Sequence, residues 1–322
     1  RALLAGAFLI AVACDSDPSS TTKSWETAFD TTSTGAFMCA WGSGSDTIWA
    51  VGGQPDKRDV YTFDGVAWSQ ANVPDGPLLN WVHGADDVLW YVGNEGQALR
   101  TEDQEIEVTE TGVTAPLWGV WAASADEAWA VGGDARASGD PDPVLLHWRD
   151  QQWSRVLIPE TDRSFRALFK VWGTSASNVY AIGSKGIILH YDGDSWRQEL
   201  SGTARDLVSL WGTGPDEILI AGGRANGVLV RWDGDAWTAH VLEGEPGMNG
   251  VWMAPNGQAT VVGIQGRILS VEPRGFDYER EENPNRTLLH GVWGSDSGHR
   301  IAVGGTLDRS PPWTGVALET RP

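Results

Sequence analysis

One phrase of hydrophobic and polar residues recurs along this chain. A large aromatic is followed by a short polar turn and then by a few apolar residues that run into glycine, as in WGSGSDTIWAVGG from Trp41. Further copies begin at Trp121 (WAASADEAWAVGG), Trp172 (WGTSASNVYAIG), Trp211 (WGTGPDEILIAGG), Trp252 (WMAPNGQATVVG) and Trp293 (WGSDSGHRIAVGG). A divergent copy, VHGADDVLWYVG, places Val82 at the aromatic position. In each of these seven copies a glycine stands eleven residues after the first position: Gly52, Gly93, Gly132, Gly183, Gly222, Gly263 and Gly304. Self-similarity at a period of about 40 residues marks a ring or solenoid built from one repeated supersecondary unit.

Each unit reads as four short strands. The first ends at the aromatic, a polar turn leads to a second such as VYAIG, a glycine-containing turn to a third such as IILHYDG, and a fourth opens on another aromatic: Trp68, Trp153, Trp196 or Trp237. Apolar alternation over four to six residues, bounded by Gly, Asp and Pro, is the strand signal. Four antiparallel strands per unit make a propeller blade, so the pattern predicts an all-β, seven-bladed β-propeller over residues 24–322. The seventh unit supplies only three strands (near HGVWG, RIAVGG and TGVALET), while SWETAFD at 24–30, with Trp25 in the aromatic slot, is an outer strand without a blade. The N-terminal strand is therefore expected to complete the last blade and cover its open edge.

Ahead of that strand, LLAGAFLIAVA at 3–13 is an apolar run of signal-peptide length, too short to span a bilayer. Ala11, Val12, Ala13 and Cys14 resemble the bacterial lipobox, although Ala11 stands where that motif most often has Leu. The resemblance implies a lipoprotein signal peptide at 1–13 and lipidation of Cys14. The polar, Ser/Thr-rich stretch that follows, within 14–23, reads as a tether. The expected location is the bacterial cell envelope, periplasmic or at the surface, with membrane contact through the lipid anchor only. Asp15 resembles an inner-membrane retention signal whose rule varies between lineages, which leaves the choice of membrane open. From 24 to 320 the blades resemble the VWG and AVGG repeat propellers of predicted bacterial lipoproteins, and more distantly the Asp-box and photosystem-assembly propellers. That resemblance implies fold and export and little chemistry, because propellers host unrelated functions. The glycine-histidine and tryptophan-aspartate pair of WD repeats is absent at its expected spacing.

Composition narrows the partners. A formal charge of -20 and a pI near 4.5 argue against nucleic acid, whose phosphates require a basic surface. Forty glycines and nineteen tryptophans fit many tight turns and large flat hydrophobes. Besides Cys14 there is only Cys39, inside a predicted strand and expected to be a buried free thiol. His83, His147, His190, His240, His290 and His299 show no paired metal spacing, and the DGDSW and DGDAW runs lack a full calcium loop, so neither cofactor nor metal is expected. Asp46, Asp87, Asp126 and Asp216 recur in the turn before the second strand and are expected to cap it. Nucleophile elbow and P-loop are both missing, which points away from an enzyme.

Repeating tryptophans are expected to form a packing layer between blades, whereas Trp313, outside the pattern, is a candidate for exposure. In an up-and-down blade the loops joining strands two to three, and four to the next one, share a face. That loop face receives Lys57, Arg58, Arg136, Arg163, Arg166, Lys185, Arg205, Arg224, Arg286 and Arg309, while the opposite face collects aspartates. Insertions in the third unit, near 133–143 and 159–169, extend the same face, and long loops on a rigid scaffold are where binding resides. The candidate ligand-binding residues are Arg136, Lys185 and Arg224, with Arg58, Arg166, Arg309 and Trp313. The expectation is a monomeric, non-enzymatic binding platform for an envelope protein or anionic glycan. A carbohydrate-binding or carbohydrate-active propeller is the alternative, and an exposed aromatic cluster around the central channel would favour it.

Overall fold

The structure, a computed structural model, describes residues 24–102, 105–307 and 311–322. The signal and tether segment with Cys14, and Arg309, lie outside the described residues. The described chain forms seven four-stranded antiparallel sheets, six of them meanders of four sequential strands. They are blade 1 (36–70), blade 2 (79–109), blade 3 (117–155), blade 4 (168–200), blade 5 (207–242), blade 6 (248–280) and blade 7 (289–320). The first strand of each blade packs against the first strands of the blades on either side, so these seven strands surround the axis. The expected seven-bladed propeller is the observed fold.

Blade 7 is completed from the other end of the chain. Glu26–Thr27 pairs antiparallel with Thr314–Thr320, Glu26 opposite Glu319 and Thr27 opposite Leu318. Two paired residues hold little by themselves; the flanking side chains fasten the clasp. Trp25 is buried, its indole Nε1 donates to Glu281 Oε2 at 2.8 Å, and the Arg300 guanidinium lies 5.0 Å from its ring centre while bonding the same carboxylate. On the other side Phe29 stacks on Tyr61 of blade 1 at 4.5 Å. The same bond recurs around the rim, where Trp153 donates to Thr109 of the preceding blade and Trp237 to Glu199.

Two sterically enforced glycine sites explain the repeated phrase. At the end of each second strand, a Cβ on Gly52, Gly93, Gly132, Gly183, Gly222, Gly263 or Gly304 would stand 2.0–2.3 Å from a backbone carbonyl oxygen at the start of the first strand. The strands approach this closely because every first strand carries a β-bulge there, with one extra residue: Met38, Asn80, Trp118, Phe169, Val208, Asn249 or His290. The second site is the glycine of the WG pair. The six-membered ring of Trp41 lies where a Cβ on Gly84 of the next blade would be, Trp121 does the same to Gly173, Trp172 to Gly212, Trp252 to Gly294, and Trp293 closes the ring on Gly42 at 2.7 Å.

Register corrects one sequence assignment. His83, not Val82, occupies the aromatic position of blade 2, since His83 pairs with Trp90 as Trp41 pairs with Trp49. Blade 2 lacks the second bulge that blades 1, 3, 4 and 5 carry just before their two-residue turns, and its own turn, Asp86 and Asp87, is left-handed (φ 49 and 65), so the anchor moves by one residue. Ring size follows the neighbour it meets. His83 faces blade 3, where Ala122 replaces the glycine and donates its N–H to His83 Nδ1 at 3.2 Å. Trp211 precedes Met253 in that position and is left half-buried, whereas Trp41, Trp121, Trp172, Trp252 and Trp293 are buried. Capping also differs from expectation: Asp64, Asp192 and Asp233, in the turns between third and fourth strands, accept two backbone N–H bonds each. Asp46 instead accepts from Ser45 Oγ, and Asp216 packs beside Gly234.

These contacts set two expectations for stability. Gly42→Ala places a methyl against the Trp293 ring and the Thr47 carbonyl, neither able to give way, and should cost about 1–3 kcal/mol in urea unfolding, as overpacking does. Trp25→Ala removes the clasp's anchor and should cost about 3–5 kcal/mol, the range for a buried aromatic.

Candidate functional site

The loop face gathers several of the predicted cations on blades 3 to 5. The long connections of the third repeat, 133–143 and 156–167, are held to each other and to the next turn by side-chain bonds to backbone. Arg166 Nη2 donates to the Gly139 carbonyl at 2.6 Å, and Lys185 Nζ to the Ser164 carbonyl at 2.9 Å. Lys185 sits at the tip of the Ser184–Gly186 turn in left-handed backbone (φ 58), and its N–H donates to Asp206 Oδ1 at 2.9 Å. Arg224, from blade 5, pairs with the other oxygen of Asp206 at 2.8 Å and leans over the Phe169 ring. Arg136 is exposed on the same ledge.

Other predicted residues fall elsewhere. Arg58 is 4% exposed, too buried to meet a ligand at the surface; its Nη2 bonds Gln97 Oε1, and Gly76 lies against the guanidinium. Trp313 is half-buried in blade 7, away from the ledge. Nor is this face simply basic. Asp206 pairs with Arg224, Asp162 with Arg163 and Asp142 with Arg155, acids that the count of cations by loop type left out.

The axis holds a group that the repeat pattern did not single out. One residue past each bulge stand Cys39, Trp81, Gly119, Lys170, Ser209, Gly250 and Gly291, at one level of the channel. Five are small. The remaining two meet across the axis: Lys170 Nζ lies 3.1 Å from the centre of the Trp81 ring and donates to the Trp118 carbonyl at 3.3 Å. Only 7% of Lys170 is exposed, and its ion-pair partner is not found among the described residues. Burial lowers its pKa to about 7, opposed weakly by Cys39, whose own thiol, buried as expected, is pushed up to about 12. His290, on the bulge of blade 7, is brought down to about 4 by desolvation and by Lys170.

On the opposite face, a cleft of about 470 Å³ lies between the turns of blades 5, 6, 7 and 1. Trp211, the indole displaced from the interlock, forms part of its wall with Trp252 and Trp293; Ser45, Thr213 and Asp296 supply polar edges. A contiguous groove of about 480 Å³ sharing Trp252 and Asp296 runs outward between blades 6 and 7.

No family model matches the chain, and no curated protein matches it. Solved structures do, over nearly the whole length. The WD40 β-propeller domain of Doa1 superposes with a TM-score of 0.68 at 10% identity, covering 92% of this chain and 97% of that one. YCF48 bound to a D1 peptide gives 0.67 at 14%, covering 92% and 97%, and the WD40 repeats of RRP9 give 0.68 at 11%, covering 92% and 98%. At these identities the likeness is one of fold: a ring of antiparallel blades shared without the sequence signature of WD repeats.

Lys170 generates a pH expectation. Its folded pKa lies below the ordinary 10.5, so between the two values the unfolded chain binds more protons and stability rises with pH; below about 7 both states are charged and the burial cost is complete. Above about 9 the raised pKa values of Cys39, Tyr91 and Tyr180 oppose the rise. Unfolding free energy should therefore climb from pH 7 to 9 in the wild type and stay nearly flat across that window in Lys170→Met, measured by urea denaturation.

Proposed function

We propose that this protein is an exported, lipid-anchored propeller of the bacterial cell envelope that works without catalysis, presenting its loop face at blades 3 to 5 to a protein partner. The observation that carries the reading is the ledge itself. Two long connections that could have been slack are fastened to each other through Arg166 and to the next turn through Lys185, which brings Arg136 to the face that Lys185 and Arg224 share with the half-buried Trp118 at the channel mouth. A rigid polar rim around a partly apolar centre is the anatomy of a protein interface. Arg224 already holds Asp206 while the Lys185 ammonium meets only the Ser164 carbonyl, so a partner gains by offering an acid and a flat surface together; a uniformly anionic glycan would have to compete with Asp162 and Asp206. Anchoring through Cys14 supports the same reading, because a tether lets a propeller face scan the envelope while staying at the membrane. WD40 propellers and a peptide-bound YCF48 share the fold, which supports a binding platform.

Exchanging Arg136, Lys185 and Arg224 together for Ser should reduce capture of the partner in an envelope pull-down by about tenfold or more, the loss expected when interface anchors go. Wild-type capture should weaken as salt rises. Unchanged capture by the triple variant would count against the ledge.

A carbohydrate-binding role is the second reading, favoured by the cleft around Trp211, where an indole released from packing stands beside hydroxyls and Asp296. It expects one saccharide class to be retained on a glycan array and lost in Trp211→Ala; retention unaffected by that exchange would locate sugar binding elsewhere.

A further inference from the structure

We propose that the axial channel, at its mouth on the loop face, receives an acidic side chain from the partner polypeptide, with Lys170 as the counter-charge. The proposal rests on the loop face being the binding face, and it names the anchor point of that interaction.

Burying an ammonium is costly unless a carboxylate or several acceptors answer it. The buried carboxylates of this molecule follow that rule: Glu245, 1% exposed, sits between Arg267 and Arg280, and Asp59, also 1%, pairs with Lys57 and accepts from the Gly35 N–H, whereas buried Arg58 rests on the Gln97 amide oxygen. Lys170 does not. In a chain with 43 acidic and 23 basic residues, its ammonium is met only by the Trp81 ring and one carbonyl. A cation–π contact and a neutral hydrogen bond soften the cost, but they leave the charge itself unanswered.

Polar atoms around the same level also lack partners among the described residues. Asn80, 3% exposed, donates through Nδ2 to the carbonyl of Leu117, next to the Trp118 carbonyl that holds Lys170, while its Oδ1 is unpaired. His290 Nε2, on the far side of the channel, is unpaired as well. His290 can carry its proton on Nε2 and offer a donor to an incoming oxygen, whereas Asn80, whose amide N–H groups go to Asn94 Oδ1 and the Leu117 carbonyl, presents an acceptor.

Access and size select the ligand. The bulged residues Met38, Trp118, Val208, Asn249 and His290 are half-buried rather than sealed, so the mouth reaches solvent on the loop face. Below it Cys39, Gly119, Ser209, Gly250 and Gly291 are small and buried, so that level admits a narrow stem at most. Met38, Phe169 and Trp81 make the walls apolar. One ammonium in such walls matches a single negative charge on a short apolar stem, as in Asp or Glu; a phosphate dianion would bring in a second charge with nothing to meet it.

Lys170 is one of four lysines, so its Nζ resonance can be resolved in the full chain labelled with 15N-lysine. The probes are N-acetyl-glycyl-aspartyl-glycinamide and its asparaginyl counterpart. The expected result is a saturable shift of the Lys170 signal with the aspartyl peptide, none with the asparaginyl one, and loss of the responding signal in Lys170→Met with unchanged circular dichroism. Equal responses to both peptides, no response, or a response confined to Lys57 and Lys185 would overturn the axial site. The Arg136, Lys185 and Arg224 triple exchange separates the two ideas: it should cut partner capture by about tenfold or more yet leave the Lys170 shift intact. Retained capture with an intact shift would contradict the ledge alone, and lost capture without a wild-type shift would contradict the axial site alone.

Discussion

The contact on which this molecule depends is the indole of one blade laid on the glycine of the next. Five of the seven blade junctions use it, and at each the ring occupies the volume a Cβ would need. A flat ring meeting bare backbone brings neighbouring sheets closer than side-chain interdigitation would, and it does so at one radius and height in each blade. The blade-to-blade rotation is thereby repeated, and seven repeats close. Where the glycine is missing the ring changes with it: His83 stands before Ala122, and Trp211, before Met253, is pushed toward solvent. The two exceptions show the same steric rule as the five cases that obey it.

Closure then creates what the blades cannot have singly. Seven bulges stand at the same height around one mouth, and the next residue of each first strand stands at one level of the channel. Small residues at five of those positions let Lys170 cross to Trp81. A charged group held this way gains rigidity from the whole ring. The loops of blades 3 to 5 take their rigidity from the same source, being pinned to turns that are themselves fixed against the inner strands.

Most of the architecture could be read from residue order because the determinants are local and repeated. The aromatic, the glycine eleven residues later and the outer aromatic each appear in nearly every unit, and the SWETAFD strand could be matched to an incomplete blade by arithmetic alone. The site was less readable. Placing Arg136, Lys185 and Arg224 on one face needed only strand counting, but the pairing of Arg224 with Asp206 and the burial of Arg58 depend on side-chain direction, which counting does not supply. Lys170 lies beside Phe169 in a segment that reads as an ordinary strand. Its partner Trp81 belongs to a blade two units away and meets it only across the closed ring. Two signals were nonetheless present: a lysine in an apolar first strand, and an extra residue between the start of each first strand and its anchor. The misassigned Val82 has a similar origin, since the loss of the bulge before the Asp86–Asp87 turn keeps the phrase while shifting its register.

The central claim is that binding occurs on the loop face over blades 3 to 5 and the channel mouth. Hydrogen–deuterium exchange of the full chain, alone and with its captured envelope partner, tests this most directly because it reads both faces at once. The account predicts slowed exchange at 133–143, 156–167, the Ser184–Gly186 turn and the bulge around Phe169, with the turns of the opposite face unchanged. Protection centred instead on the turns around Ser45, Thr213 and Asp296 would contradict it and place the binding surface at the tryptophan cleft.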